Sequence, residues 1–288
     1  MKVIYMHGIG DHPEPKVLKS DWDNALFGKD MGATTAFAYW ADLRPETKAF
    51  DALDILTASP SAVTGSLELN DSLFESVAAE IMQDVAANVS YVNQLSTSSP
   101  DKAIPAIPGP VADAILKLLI KDVAIYFFMP EVRKKIQQRL LDCLTAVQDC
   151  IVIGHSMGTV ITYDVLRTYA PQPGFSQKLY ITLGSPLGLP TVQRNLKKLA
   201  GIADTDTLPA PSHPPIWSNF ASVADPVALD PTLHDEFSVS AGQRLDDYNV
   251  WNPDLFKLNP HSGTGYLSTN EVKAQVRMLV TQVAGTGK

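Results

Sequence analysis

An apolar run that leads into a serine between two glycines stands near the middle of the sequence. The run is CIVI at 150–153, and it is followed by GHSMG at 154–158. An unbroken apolar run rich in β-branched residues is typical of a parallel strand that is covered on both faces. The apolar residues after it, between Val160 and Leu166, have helical spacing. The sequence therefore predicts a strand, a sharp turn at Ser156 and then a helix.

The two glycines of this segment have a steric role in such a turn. A side chain at Gly154 or Gly158 would collide with the neighbouring strand or helix when Ser156 adopts a strained backbone conformation. The turn raises the Ser156 hydroxyl above the edge of the sheet, and it places the N–H of Met157 at a helix N-terminus, where negative charge is stabilised. A chance match to G-x-S-x-G is the alternative, and the strand before and helix after it argue against chance. We therefore predict a nucleophilic serine at position 156.

Predicted strands alternate with predicted helices over most of the 288 residues, which is long enough for one α/β domain over 1–288. This order predicts a mostly parallel sheet of about six strands that is flanked by helices. The strand candidates besides the serine strand are Val3–Met6, Thr34–Trp40, Lys178–Leu183, Trp217–Val223 and Asp247–Trp251. The main helix candidates are 16–27, 111–128, 131–147 and 271–283.

Residues 48–120 depart from this alternation, since they carry no strong strand signal. Leu73, Val77, Ile81 and Val85 have helical spacing, the segment 96–110 is rich in proline, and a second apolar helix begins at about 111. A connection at this place in the chain returns near the carboxyl edge of the sheet. We therefore expect a helical cap over that edge. The alternative is that these apolar faces only extend the core.

The residues that follow each strand are the candidates for a site, because parallel α/β sheets carry their sites at the carboxyl ends of the strands. HGIG at 7–10 follows the first strand, and the backbone N–H of Ile9 is a candidate to join that of Met157 in binding an oxyanion. Asp225 directly follows the predicted strand 217–223, and a carboxylate there can orient an imidazole. The competing aspartates lie in other turns: Asp204, Asp206, Asp230, Asp246 and Asp247.

A histidine in a polar, glycine-rich loop follows the last predicted strand. His261 lies in NPHSGTGYL at 259–267, just before the closing helix. It is the histidine that completes the chain order Ser, Asp, His of hydrolases with a strand–serine–helix turn. A solvated loop histidine is the alternative. We predict that Ser156, Asp225 and His261 meet in space as nucleophile, orienting acid and base.

Together, HGIG, GHSMG, ADPV at 224–227 and NPHSGTGYL resemble the motifs of the α/β-hydrolase superfamily, of the serine esterase and lipase type. The pair HGIG and GHSMG is similar to that of small bacterial lipases. The resemblance implies an α/β-hydrolase fold that lacks its first two strands and has an insertion between HGIG and the serine. It also implies hydrolysis of carboxylic esters through an acyl-enzyme, with Ile9 and Met157 as the oxyanion hole and with no metal or organic cofactor.

The same groups would serve other reactions and one role without catalysis. An amidase, a thioesterase or a transacylase can use the same triad. A protein that only binds a ligand on this fold is a further alternative, although such a protein normally lacks a member of the triad, and all three are present here. The expected partner is a small-molecule ester or lipid, and the oligomeric state is left open.

Composition and the distribution of charged residues limit the partners and cellular locations that we expect for this protein. The formal net charge of −8 argues against nucleic acid as a general partner. Cys143 and Cys150 form no C-x-x-C pattern and suggest no metal site or redox pair. The N-terminus carries no secretory pattern, and no uncharged apolar stretch is long enough to span a bilayer. We therefore expect a cytoplasmic protein with no stable membrane insertion.

Overall fold

The structure, a computed structural model, describes residues 1–10, 12–45, 75–87, 109–147, 149–169 and 176–285. Its centre is a six-stranded sheet in which all neighbouring strands are parallel, in the order β2-β1-β3-β4-β6-β8. The strands are β1 (Lys2–Met6), β2 (Thr35–Ala38), β3 (Asp149–His155), β4 (Ser176–Leu183), β6 (Ile216–Ala221) and β8 (Arg244–Asn249). Two short strands, β5 (Leu208–Pro209) and β7 (Phe237–Ser238), form a separate parallel pair.

Helices cover both faces of this sheet. They are α1 (Pro15–Phe27), α2 (described over 75–87), α3 (Gly109–Phe128), α4 (Pro130–Thr145), α5 (Met157–Tyr169), α6 (Pro190–Ala200), α7 (Gly263–Ser268) and α8 (Asn270–Gly285). One apolar cluster joins one face of the sheet to α2, α3, α4, α5 and α6. The other joins the opposite face to α1, α7 and α8. Burial on both faces explains why β1 and β3 are almost wholly apolar.

The register of the parallel strands brings the predicted site segments to one edge of the sheet. Met6 pairs with Gly154, and His155 pairs with Leu183. Phe220, near the end of β6, is also the partner of Leu183. HGIG, Ser156 and the turn that contains Asp225 therefore all leave the sheet at its carboxyl edge.

The predicted fold class, a mostly parallel α/β sheet of about six strands, is confirmed. The last strand begins earlier than predicted, at Arg244 and not at Asp247. Its sequence RLDDYN is polar because β8 is an edge strand, and its first residues therefore carry no apolar pattern that marks where the strand begins. The pair β5 and β7 was not predicted, since strands of two residues carry no periodic signal.

The predicted helical cap is not confirmed. Within 48–120 the described residues are 75–87 and 109–120, and both segments are helical. Val77, Ile81 and Leu119 are buried in the same apolar cluster as Ile4 and Met6 of β1. These described faces therefore pack on the core. Leu73 and most of the proline-rich segment 96–110 lie outside the described residues.

No helix in the described ranges combines the length and the apolar character that a membrane span requires.

Candidate active site

Ser156 occupies the strained turn between β3 and α5. Its φ is 56°, and among the described residues only one other non-glycine residue, Leu258, has a positive φ. The backbone around it is firmly held: Ser156 N–H donates to Leu183 O at 2.9 Å, and Ser156 O accepts from the N–H and the hydroxyl of Thr159 at 2.9 and 2.7 Å. A strained residue persists only where its surroundings fix it in this way, and such residues cluster at functional sites.

Close backbone packing around this turn requires its two glycines. A Cβ on Gly154 would lie 2.8 Å from Thr162 Oγ1 and 2.9 Å from Gly158 O. A Cβ on Gly158 would overlap the carbonyl oxygen of Met6 and lie 2.5 Å from that of His7. The N-terminus of α5 thus packs directly on the chain that leaves β1.

The loop after β1 runs against the Ser156 side chain. A Cβ on Gly8 would overlap Ser156 Cβ and lie 2.9 Å from Ser156 Oγ. Ile9, one predicted oxyanion donor, directly follows Gly8 and packs its side chain on the core. Met157, the other predicted donor, is the first residue of α5, where a backbone N–H has no partner within the helix. Ile9 therefore follows a residue that lies against Ser156, and Met157 follows Ser156 itself.

The His7 side chain links the loop after β1 to the segment after β2 by hydrogen bonds. Its Nε2 accepts the backbone N–H groups of Trp40 and Ala41 at 2.9 and 3.3 Å, and its Nδ1 donates to Gly8 O at 3.0 Å. These partners require a neutral ring with the proton on Nδ1. Burial lowers the pKa of His7 well below its ordinary value, which keeps the ring neutral. The His7 ring stacks on Trp40 with centroids 5.1 Å apart.

Asp225 and His261 form a short, buried polar contact in the site. His261 Nδ1 lies 2.8 Å from both carboxylate oxygens of Asp225. Asp225 Oδ1 also accepts the N–H of Val227 at 2.9 Å, so that the carboxylate is fixed from a second side. Because a carboxylate only accepts, Nδ1 carries the proton of a neutral His261, and the lone pair lies on Nε2. This is the arrangement in which an acid orients a general base.

Two residues of this arrangement were missed by the sequence analysis. The Tyr266 hydroxyl donates to Asp225 Oδ2 at 2.7 Å and accepts the N–H of Ser222 at 3.0 Å. Burial and the Asp225 charge raise the pKa of Tyr266, which keeps its hydroxyl a donor. Gly184 has a φ of +54°, and a Cβ there would lie 2.6 Å from Asp225 Oδ2 and 3.2 Å from His261 Nδ1. A glycine directly after strand β4 was the signal that could have pointed to Gly184.

Ser156 and His261 lie on neighbouring segments but are not hydrogen-bonded. The ring of His155, next to Ser156, is 4.6 Å from the ring of His261, centroid to centroid. Ser156 Oγ and His261 Nε2 are both buried, and neither has a hydrogen-bond partner among the described residues. No hydrogen bond therefore joins Ser156 Oγ to His261 Nε2 in this structure. Catalytic hydrogen bonds are often long without substrate and tighten only in the complex.

The described residues of the site include a strained serine and a histidine held by a carboxylate, but no set of metal ligands. Within the part of the chain that the structure describes, no group of three or more His, Cys, Asp or Glu side chains could hold a metal ion. No protein-family model matches this sequence, and no curated protein is similar enough to count as a relative.

Proposed function

We propose that this protein is a serine hydrolase that cleaves carboxylic esters through Ser156, His261 and Asp225. One observation carries the proposal: a strained Ser156 on a strand–turn–helix lies at the same edge of the sheet as the Asp225–His261 pair. Backbone strain of this kind costs free energy. A turn that exposes the hydroxyl of a nucleophilic serine above the sheet gives a functional reason for the strain to be retained. The unpartnered Ser156 Oγ and His261 Nε2 are then the two atoms that meet the substrate.

The first half of the reaction follows from these atoms. His261 Nε2 accepts the hydroxyl proton of Ser156 as Oγ attacks the carbonyl carbon of the ester. Asp225 holds the imidazole through Nδ1 and stabilises the positive charge that develops on it. The tetrahedral oxyanion receives hydrogen bonds from the N–H groups of Ile9 and Met157. Loss of one such donor typically costs about 3 kcal/mol of transition-state stabilisation.

Acylation is complete when His261 gives its proton to the leaving alcohol, and the acyl group remains on Ser156 Oγ. Deacylation repeats the same steps with water. A water molecule, deprotonated by His261, attacks the acyl carbon, the bond from that carbon to Ser156 Oγ breaks, and His261 returns the proton to Ser156 Oγ as the acid leaves. No metal or organic cofactor takes part in this scheme. Esters of short to medium acyl chains, or lipids, are the substrates we propose.

Fluorophosphonate labelling tests the proposal directly. We expect the probe to label the protein and the label to map to Ser156, and we expect Ser156→Ala to lose both the label and p-nitrophenyl ester hydrolysis. Ser218→Ala is the matched control, because the Ser218 hydroxyl is also buried without a partner among the described residues but lies within β6. Absence of the label from Ser156, or equal hydrolysis by wild type and Ser156→Ala, would reject the proposal.

A substrate panel then separates the reaction classes. p-Nitrophenyl esters of increasing chain length, matched anilides and a thioester series share the attack by Ser156 but differ in the leaving group. We expect the esters to give the highest kcat/KM. If Ser156 is labelled but only anilides or thioesters are turned over, Ser156 remains the proposed nucleophile and the enzyme is an amidase or a thioesterase in place of an esterase.

A further inference from the structure

A buried ion pair joins helix α3 to the segment that follows β2. Arg44 follows the short 3₁₀ helix Ala41–Leu43, and its Nε and Nη2 donate to the two carboxylate oxygens of Asp122 at 2.9 and 2.6 Å. The side chains are 8% and 1% exposed. Replacing such a buried pair by apolar residues is often neutral or stabilising, because desolvation offsets the Coulomb attraction. Stability alone is therefore a poor explanation for this pair.

The same guanidinium binds the backbone on either side of Ile9. Arg44 Nη1 donates to Gly10 O, and Nη2 donates to Gly8 O at 3.4 Å. His7 Nδ1 donates to the same Gly8 oxygen at 3.0 Å. The carbonyl of Gly8 and the N–H of Ile9 belong to one planar trans peptide, in which they point in opposite directions. Groups that hold Gly8 O therefore also fix the direction of the Ile9 N–H.

Asp122 in turn fixes the guanidinium. A planar fork that binds a carboxylate through Nε and Nη2 has its remaining N–H groups in a set direction. Arg44 also lies over the ring of Trp40, 4.6 Å from the centroid, and Trp40 Nε1 donates to His7 O at 3.0 Å. Burial raises the pKa of Asp122 to about 6, and the Arg44 guanidinium opposes this shift. Because this pKa is still below 7, the Asp122 carboxylate is ionised at neutral pH, and it binds the Arg44 guanidinium through both oxygens.

We propose that Arg44 and Asp122 are positioning residues that orient the Gly8–Ile9 peptide so that the Ile9 N–H faces the oxyanion. This inference rests on the function proposed above. It also gives helix α3 a role in the reaction, since α3 supplies Asp122 and places Leu118 against Gly10, where a Cβ would lie 3.3 Å from Leu118 Cδ1.

Arg44→Lys and Asp122→Asn test the inference through a split between kcat and KM. Lysine keeps the charge but cannot bind the carboxylate and the two carbonyls as a planar fork. Since the oxyanion forms only in the transition state, we expect kcat on p-nitrophenyl butyrate to fall about 10- to 100-fold with KM changed less than about twofold. Affinity for a trifluoromethyl ketone, which forms an oxyanion on Ser156, should fall by a similar factor.

Arg133→Lys is the matched control, because Arg133 also donates to two backbone carbonyls, those of Tyr126 and Phe127, at 3.1 and 3.0 Å. We expect it to leave kcat unchanged. The inference would be overturned if the wild type is active and labelled at Ser156 but Arg44→Lys and Asp122→Asn have the same kcat and KM as this control.

Hydrogen exchange gives a readout that does not need activity. Amide exchange in the segment 7–10 should be faster in Arg44→Lys and in Asp122→Asn than in Arg133→Lys, while exchange in β4 stays the same. Unchanged exchange of this segment would overturn the inference even if the variants lost activity through misfolding. A wild type without esterase activity but with the expected exchange would instead reject only the proposed function.

Discussion

His261 Nδ1 lies 2.8 Å from each carboxylate oxygen of Asp225, although 36 positions separate the two residues in the chain. The contact is possible because Asp225 leaves β6 at the same edge of the sheet where the loop after β8 brings in His261. Each carboxylate oxygen has one further donor, Val227 N–H on Oδ1 and the Tyr266 hydroxyl on Oδ2. The orientation of the imidazole therefore depends on groups that bind the carboxylate and not the histidine.

Tyr266→Phe should lower kcat/KM on p-nitrophenyl butyrate by about tenfold, the effect of losing a hydrogen bond to a charged group. The change removes one donor from Asp225 and leaves the N–H of Ser222 without its acceptor. Tyr163→Phe is the control, since Tyr163 is equally buried and its hydroxyl donates to Pro209 O at 2.8 Å. Equal kcat/KM of the two variants would show that the Tyr266 hydroxyl has no part in holding Asp225.

Gly184→Ala should lose activity by more than about 100-fold, because the new methyl group displaces Asp225 Oδ2 from beneath His261. Gly201→Ala provides the matched control. Gly201 has a similar φ, +66° against +54°, but a Cβ there would meet nothing within 4 Å. Both variants introduce the backbone strain of a left-handed alanine, about 1 kcal/mol in urea unfolding. A similar kcat/KM for both would contradict the assigned contact.

The local parts of the site could be predicted from the sequence, and the long-range parts could not. The turn at Ser156 is encoded within one short segment, in which an apolar strand, two glycines and a helix follow one another. Asp225 and His261 could be selected because each follows a strand. Tyr266 gave no such signal, since a tyrosine in a short helix is usually part of the core, and this one is also fully buried.

The Arg44–Asp122 pair is a second long-range contact that the sequence did not predict. Its members are 78 positions apart, and most of the residues between them lie outside the described ranges. Asp122 interrupts an apolar helix, where a charge suggests an exposed face, yet its side chain is buried against Arg44. In the same way the apolar stripe of α2 was visible in the sequence, but the sequence did not show which surface it packs against, and its described residues pack on the core.

Ser156→Ala should raise the free energy of unfolding by about 1 kcal/mol while it abolishes activity. The hydroxyl is buried and has no partner among the described residues, and such a group costs about 1–3 kcal/mol. Alanine keeps the Cβ and therefore the strain at φ 56°. Ser156→Gly, which also relieves that strain, should be no less stable than Ser156→Ala. Urea unfolding decides. A Ser156→Ala variant less stable than wild type would mean that the buried hydroxyl is not destabilising, and a Ser156→Gly variant less stable than Ser156→Ala would mean that the turn is not a source of strain.

Glu236 should make the stability of the protein fall as the pH rises towards 8. Burial, with Asp230 and Asp235 nearby, raises the pKa of Glu236 to about 8, although Gln193 donates to its carboxyl oxygen. In the unfolded chain the group titrates near its ordinary value of 4.5. A raised pKa means that the native state binds the proton more tightly. The resulting stabilisation is complete below pH 4.5 and is lost as the pH rises through 8.

Glu236→Gln removes this proton uptake and should therefore be more stable than wild type at pH 7–8, with a difference that shrinks towards pH 5. We expect about 1 kcal/mol at pH 8, well below the value for the full shift, because the carboxyl group is partly in contact with solvent. Glu131→Gln, at an exposed carboxylate paired with Lys134, should keep the pH dependence of the wild type. Urea unfolding from pH 5 to 8.5 measures all three proteins. A stability difference between Glu236→Gln and wild type that does not grow with pH would mean that Glu236 is already ionised in the native state at neutral pH.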